Sequence, residues 1–389
     1  MILRRGLFIV TVFSLIALAS PVRSQENPYE INVILPLTGP GAFIGQTHQK
    51  ELRAVESVVN KAGGINGRPI RFVFFDDQTN PQVSVQLSNA LIAKKVPIVM
   101  GSLLSAMCKA MMPLFANGPV QYCLSPAIYP PKGSYTFSSS ISTQDLLVAT
   151  LRFFKAKGWK RVASLNSTDA SGQDGDAALA DALKLPENRD VTLVDAEHFN
   201  PSDVNVSAQL AKIKAANPQV LIVWVPGTPF ATALRGLQEA GLDVPIIASS
   251  ANMVTSQLKE YVGFMPKQLF FPGLSYAANV ARSPRVGQAQ RIWLNAIKAE
   301  GMTPDLQSGL SWDPAMIVVD ALRHVGTNAT PQQIRNYIEN LHDFAGITGI
   351  YDFRVGNQRG IGVDDVVMIR WNPSTGAWIA ASKPGGTVR

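Results

Sequence analysis

Three glycines in the stretch PLTGPGAFIG (36–45) stand between an apolar run at 31–35 and a segment of helical pattern. A glycine-rich turn in that place can cradle the phosphates of a dinucleotide, because the backbone approaches closely and a helix N-terminus points at the anion. The fingerprint needs its first glycine at the strand end and an acid about 20 residues on for the ribose. Here Pro36, Leu37 and Thr38 intervene, the spacing Gly39-x-Gly41-x-x-x-Gly45 is one residue too long, and Asp76 and Asp77 come more than thirty residues after Gly39. The turn therefore reads as the rim of a cleft, with Phe43 and Ile44 over the strand ends.

Other reactive side chains do not assemble into a catalytic or metal motif. His48, His198, His324 and His342 are dispersed, and neither G-x-S-x-G nor H-E-x-x-H occurs. The reading is a non-enzyme, with no catalytic residue, no cofactor and no metal. Cys108 and Cys123 lie fifteen positions apart without a third cysteine or a nearby histidine, a poor metal set. Cys108 falls in the first turn of a helix and Cys123 at the end of the next strand, which parallel α/β packing brings together. A disulfide is expected, with two buried thiols as the alternative.

The elements that must position these residues alternate regularly. INVILPL, IRFVFFDD, VPIVMGS and VQYCLS read as strands, separated by helical patterns at 47–62, 81–94 and 105–117. Continuous apolar strands between amphipathic helices imply a parallel sheet covered on both faces. The pattern restarts with RVASLNS, TLVDAEHF, VLIVWVP and PIIASS, separated by helices at 172–184, 206–216 and 229–240. QLFFPGLSY follows, then helices near 284–300 and at 313–325, the second capped by Ser311 or Asp313. The last stretch, GIYDFRVGNQRGIGVDDVVMIRWNP, alternates apolar and polar residues around glycine breaks and reads as a β-hairpin. Ligands of such units bind beyond the carboxyl ends of the strands, which selects loops 36–46, 76–81, 101–108, 125–131, 166–173, 225–230 and 249–254.

Composition agrees with an exported globular protein. Residues 1–24 carry Arg4 and Arg5, an apolar stretch at 7–19 and small residues ahead of Gln25, the form of a signal peptide. The stretch is too short to span a bilayer, which takes about 20 residues. Removing it takes away three arginines and no acids, so the formal charge falls from +7 to +4. This excess is scattered, without the basic-aromatic stripe of a nucleic-acid binder. Some 365 remaining residues exceed what one hydrophobic core usually supports, so two lobes are expected.

Taken together, PLTGPGAFIGQ, VVNKAGGINGRPIRFVFFDDQTNPQVSV, IVMGSLLSAM and CLSPA resemble the periplasmic solute-binding proteins of ABC importers, of the leucine/isoleucine/valine-binding type. The resemblance continues through GWKRVASLNSTDASGQDG and ALRGLQEAGLDVPIIASS to the end of the chain. It implies an α/β fold of two doubly wound parallel-sheet lobes, joined by a three-strand hinge, with a ligand cleft between them. The first lobe would comprise 28–141 and 275–350, the second 142–274 and 351–385, with crossings near 139–143, 273–276 and 351–353. A monomeric, periplasmic protein would close on a small ligand and deliver it to a membrane permease driven by an ATPase.

The resemblance also implies contacts. Ser105, with Ala106, would offer a hydroxyl and N–H groups to a ligand carboxylate, and the segment of Ala127, Ile128 and Tyr129 would add backbone groups and a donor. Amino-acid binders of this type carry a Tyr where Ser171 stands and a Glu, pairing with the ligand's ammonium, in the loop that here reads Ser249-Ser250-Ala251-Asn252. A buried ammonium without a carboxylate partner is costly. The expected ligand is therefore a carboxylate without an α-ammonium, an aromatic or 2-oxo acid, unless an acid such as Asp169 substitutes. Gly227 and Asn252 complete the expected second-lobe contacts; Trp224 and Trp312 could face core or cleft. A branched-chain amino acid as ligand and a sensory receptor domain are the competing readings.

Overall fold

In the computed structural model, which describes residues 27–138 and 141–388, the chain forms two α/β lobes, each built on its own sheet. The signal-peptide reading, 1–24, and Ser139 and Ser140 of the first expected crossing lie outside the described residues.

The first lobe alternates β1 (Tyr29–Leu35), α1 (Ala42–Lys61), β2 (Ile70–Asp76), α2 (Pro81–Ala93), β3 (Ile98–Gly101), α3 (Ser105–Met111), β4 (Val120–Cys123) and β5 (Thr136–Ser138). Its five strands are all parallel, in the order β2-β1-β3-β4-β5. Local chemistry sets the helix ends: Asn80 caps α2 through its side chain, with Pro81 following as the first helical residue.

The chain then enters the second lobe with α4 (Thr143–Lys157), β6 (Arg161–Ser167), α5 (Ala170–Lys184), β7 (Thr192–Phe199), α6 (Ser207–Ala215), β8 (Val220–Trp224), α7 (Pro229–Ala240), β9 (Ile246–Ala248), α8 (Thr255–Glu260) and β10 (Leu269–Leu274). Strands β6 to β10 are parallel, and Gly241 ends α7 in the left-handed conformation. Three helices return to the first lobe: α9 (Pro284–Ala299) and α10 (Trp312–Val325), packed on α1, and α11 (Pro331–Asn340). A small ribbon of β11 (His342–Ala345) and β12 (Ile350–Asp352) follows. Finally β13 (Val366–Asn372) and β14 (Ala377–Ala380) add an antiparallel edge to the second sheet, in the order β14-β13-β10-β9-β8-β6-β7.

Three departures from the sequence reading matter. The last stretch is not a single hairpin, because β12 pairs with β11 while β13 pairs with β10 and β14. The intervening residues, 353–365, are too long for a tight turn and form the third crossing between sheets. Helix α4 and helix α11 have no counterpart in that reading. Both carry start signals: Ser142 caps Asp145 N–H, and Thr330 with Gln333 forms a capping box. Asp313 does not cap α10; its carboxylate accepts the N–H groups of Ile347 and Thr348 and the hydroxyl of Tyr351.

Among the described residues, no helix is long and apolar enough to cross a membrane, and no group of His, Cys, Asp and Glu is arranged to hold a metal ion.

Candidate functional site

The carboxyl ends of the strands in both lobes face a common cleft with two adjoining compartments that share Ile44 and Leu104. The inner one, about 50 Å³, has walls of Leu103, Leu104, Leu124, Ile141, Leu146, Leu274, Leu306 and Leu310, with His48, Ser250 and Gln307 as its polar side chains. The outer one, about 460 Å³, lies at the mouth between Pro40, Gly41 and Thr79 on one side and Asp169, Asn200–Ser202 and Pro226–Pro229 on the other. Each of the seven loops selected from the sequence contributes at least one wall residue.

The rim of the first lobe is tied together by the two strand-end acids. Asp76 accepts the N–H groups of Leu37 (2.9 Å) and Thr38 (3.1 Å) and the Thr38 hydroxyl (2.6 Å). Asp77 accepts Thr79 N–H (2.9 Å) and the Ser102 hydroxyl (2.7 Å). They thus join three cleft loops. Gly45 is required by close approach: a Cβ there would sit 2.1 Å from the Pro36 carbonyl oxygen. Gly172 plays the same part in the second lobe, where a Cβ would meet the Ser167 carbonyl oxygen at 1.7 Å.

Of the expected contacts, Ile44 lines both compartments and Gly227 lines the outer one. Phe43 belongs to the first turn of α1, is half exposed and lines neither compartment. Ser105 opens α3, buried, with its Oγ 3.0 Å from Ser125 Oγ; Ala106, the next residue, is exposed. Ala127 and Ile128 are buried behind the wall, Ile128 against Cys108 and Cys123. Those cysteines form a disulfide that ties the first turn of α3 to the end of β4. Tyr129 reaches across to the second lobe, its hydroxyl donating to Asp174 Oδ2 on α5 at 3.3 Å. Ser171 lies in the first turn of α5, its N–H donating to Asp169 Oδ1. The same Asp169 oxygen also accepts from Gly172 N–H and the Ser167 hydroxyl. Asn252 is fully buried and its amide is spent on its own lobe, accepting Gly227 N–H (3.0 Å) and donating to the Val225 carbonyl (2.7 Å). Trp224 packs over Gly175, and both Trp224 and Trp312 are buried in the core.

Sequence reasoning missed the segment 305–311 between α9 and α10. It supplies Leu306, Gln307 and Leu310 to the inner wall and reaches the second lobe directly, with Asp305 Oδ2 accepting Thr255 N–H at 3.0 Å. Burial, opposed by the hydrogen bonds from Thr255 and Ser308, pushes the Asp305 carboxyl up to about 6. His48 was set aside with the other histidines, yet it is fully buried and lines the inner compartment. Burial pushes its imidazole down to about 4. Its i, i+4 position relative to Ile44 on α1 was a signal that both face the cleft. Arg359, in the third crossing, donates to the carbonyls of Pro126 and Ile128 and to Ser138 Oγ, fastening the cleft loop to the hinge.

A family model described as periplasmic binding protein matches residues 28–377, and the chain belongs to that family. It is 25% identical over 376 residues to Leu/Ile/Val-binding protein homolog 1 of Brucella abortus (strain 2308), covering 93% of this chain and 96% of that one. An extracellular ligand-binding receptor from Rhodopseudomonas palustris HaA2 superposes with a TM-score of 0.79 at 22% identity, over 91% of this chain and 100% of that one. The branched-chain amino acid transporter substrate binding protein LivJ of Streptococcus pneumoniae, in complex with isoleucine, superposes with a TM-score of 0.74 at 19% identity, over 91% and 99%. The two solved structures share this fold.

Proposed function

We propose that this periplasmic binding protein is the substrate-capturing component of an ABC importer, closing its lobes on a small carboxylate in the periplasm and presenting it to a membrane permease. The ligand class we favour is an aromatic or 2-oxo acid. The observation that carries this choice is the chemistry of the inner compartment: its wall is mostly leucine and isoleucine, and among the described residues no Asp or Glu lines it. The one acid on the outer wall, Asp169, has an oxygen committed to three donors of its own loop. An α-ammonium drawn into the inner compartment would lose its water without gaining a carboxylate partner there.

The carboxylate end has a different set of partners. Cys108 N–H already bonds the Leu104 carbonyl, whereas the N–H groups of Ser105, Ala106 and Met107 lie in the first turn of α3, before any acceptor within the helix. The paired hydroxyls of Ser105 and Ser125 lie beside them. These groups suit an anion, and the leucine-lined wall together with the roomier outer compartment suits the apolar body behind it.

A branched-chain amino acid is the second reading, favoured by the printed names of the Brucella relative and of the isoleucine-bound Streptococcus protein. A thermal-shift screen followed by calorimetry, using phenylpyruvate, benzoates, cinnamates and the branched-chain amino acids, separates the two. A ligand that binds only the folded protein raises its melting temperature. Stabilisation by the ammonium-free acids supports the first reading, and stabilisation by leucine with no response to those acids overturns it.

A further inference from the structure

The floor of the inner compartment carries a polar chain that runs from the first lobe to the second. Ser311 N–H donates to Glu51 Oε2 at 3.1 Å, and Ser311 Oγ bonds His48 Nδ1. His48 Nε2 lies 3.1 Å from Gln307 Oε1, and Gln307 Nε2 lies 3.2 Å from the carbonyl oxygen of Ala251 in the second lobe. The direction of each bond is fixed by what can donate. A carbonyl only accepts, so the Gln307 amide nitrogen must face Ala251 and its oxygen must face His48. His48 is then the neutral tautomer with hydrogen on Nε2, and its Nδ1 accepts the Ser311 hydroxyl. Gln307 is almost wholly buried, and its acceptor sits on a rigid loop that Asn252 ties to Val225 and Gly227.

We propose that Gln307, oriented by His48, is a positioning residue that latches the two lobes together across the floor of the cleft. It bonds a second-lobe carbonyl that would otherwise be left unpaired in a closing, water-poor compartment. The latch rests on the binding-protein reading of the cleft but not on any one ligand.

Gln307→Glu tests it, because a protonated glutamic acid reproduces the amide's pattern: its carbonyl accepts His48 Nε2–H and its hydroxyl donates to Ala251. The ionised form has no hydrogen for that carbonyl and opposes closure. The titratable groups around position 307 are His48 and Glu51 on α1, Asp305 on its own segment, Asp313 on α10 and Tyr276 at the second crossing. Wild type carries all of them, so the ratio of variant to wild type reads the introduced carboxyl together with His48, the one group it bonds directly.

Small-angle scattering of both proteins without ligand, between about pH 5 and pH 8, reads closure directly. The expected result is that Gln307→Glu matches wild type at the acid end and becomes more extended as pH rises. In calorimetry with any binder found in the carboxylate and amino-acid panel, its affinity relative to wild type falls about tenfold per pH unit above the new carboxyl's pKa. Gln307→Leu, which keeps the volume but neither bond, shows a loss that does not vary with pH. Scattering curves of Gln307→Glu and wild type that track one another across the range overturn the latch. If no panel compound binds, it is the ligand assignment that fails, while the scattering comparison still decides the latch.

Discussion

Asp305 shows how one side chain can carry both an interlobe contact and a pH response. Its carboxyl, ordinarily near 3.8, is pushed up to about 6 by burial, so between those values the folded protein binds a proton that the unfolded chain has released. The unfolded state then holds fewer protons, and this residue's contribution to stability falls as pH rises through that window. Two pKa units set an upper limit of about 3 kcal/mol. Asp305→Asn retains an acceptor for Thr255 N–H but does not titrate. The stability of Asp305→Asn relative to wild type should therefore rise from pH 4 to pH 6 in denaturant titrations and be flat above. Parallel curves across that interval would show that Asp305 does not titrate in this way. Taking the difference cancels His48, whose lowered pKa acts with the opposite sign, whereas Glu51, raised mainly by burial and in part by the Asp305 charge, is relieved slightly in the variant. None of this was legible in the sequence, because the acidity of Asp305 depends on a second lobe that packs over it.

At the scale of elements, the parts legible in advance were those with a strong period. The apolar strands and their crossover helices, and with them the seven cleft loops, follow from runs such as VLIVWVP and from the rule that loops at the carboxyl ends carry the site. The segment 305–311 was not legible: it has no period, and its importance arises from α9 and α10 folding back onto α1. The stretch 353–365 was misread because alternation on either side suggested one hairpin, whereas its strands pair in different sheets. The first turns of α1 and α5 offer a test of how tightly helix and strand end must meet. Alanine is favoured over glycine in a helix interior by about 1 kcal/mol. At Gly172, however, a Cβ falls 1.7 Å from the Ser167 carbonyl oxygen, a collision with backbone that cannot swing away. Overpacking of this kind costs about 1–3 kcal/mol, so the clash outweighs the propensity. Gly172→Ala should melt below wild type, and a variant that melts at or above it would mean that α5 moves off the strand end without cost.

At the scale of the whole molecule, two sheets are joined by three crossings of the chain, the arrangement on which the proposed closure depends. The cleft between them is apolar on its inner wall, and Leu104, the residue before α3, lines both of its compartments. Fold and membership in the periplasmic binding protein family are carried by nearly the full chain. The proposed ligand class rests on a few side chains, above all on the lack, among the described residues, of an acid on the inner wall. The most direct measurement is calorimetry on a matched pair with the same hydrocarbon body, 4-methyl-2-oxopentanoate against leucine, with phenylpyruvate against phenylalanine as a second pair. The account predicts that within a pair the 2-oxo acid binds at least about tenfold more tightly, since a desolvated ammonium without its carboxylate costs more than the 1.4 kcal/mol that tenfold represents. Tight binding of leucine or phenylalanine, with the oxo acids silent, would contradict it.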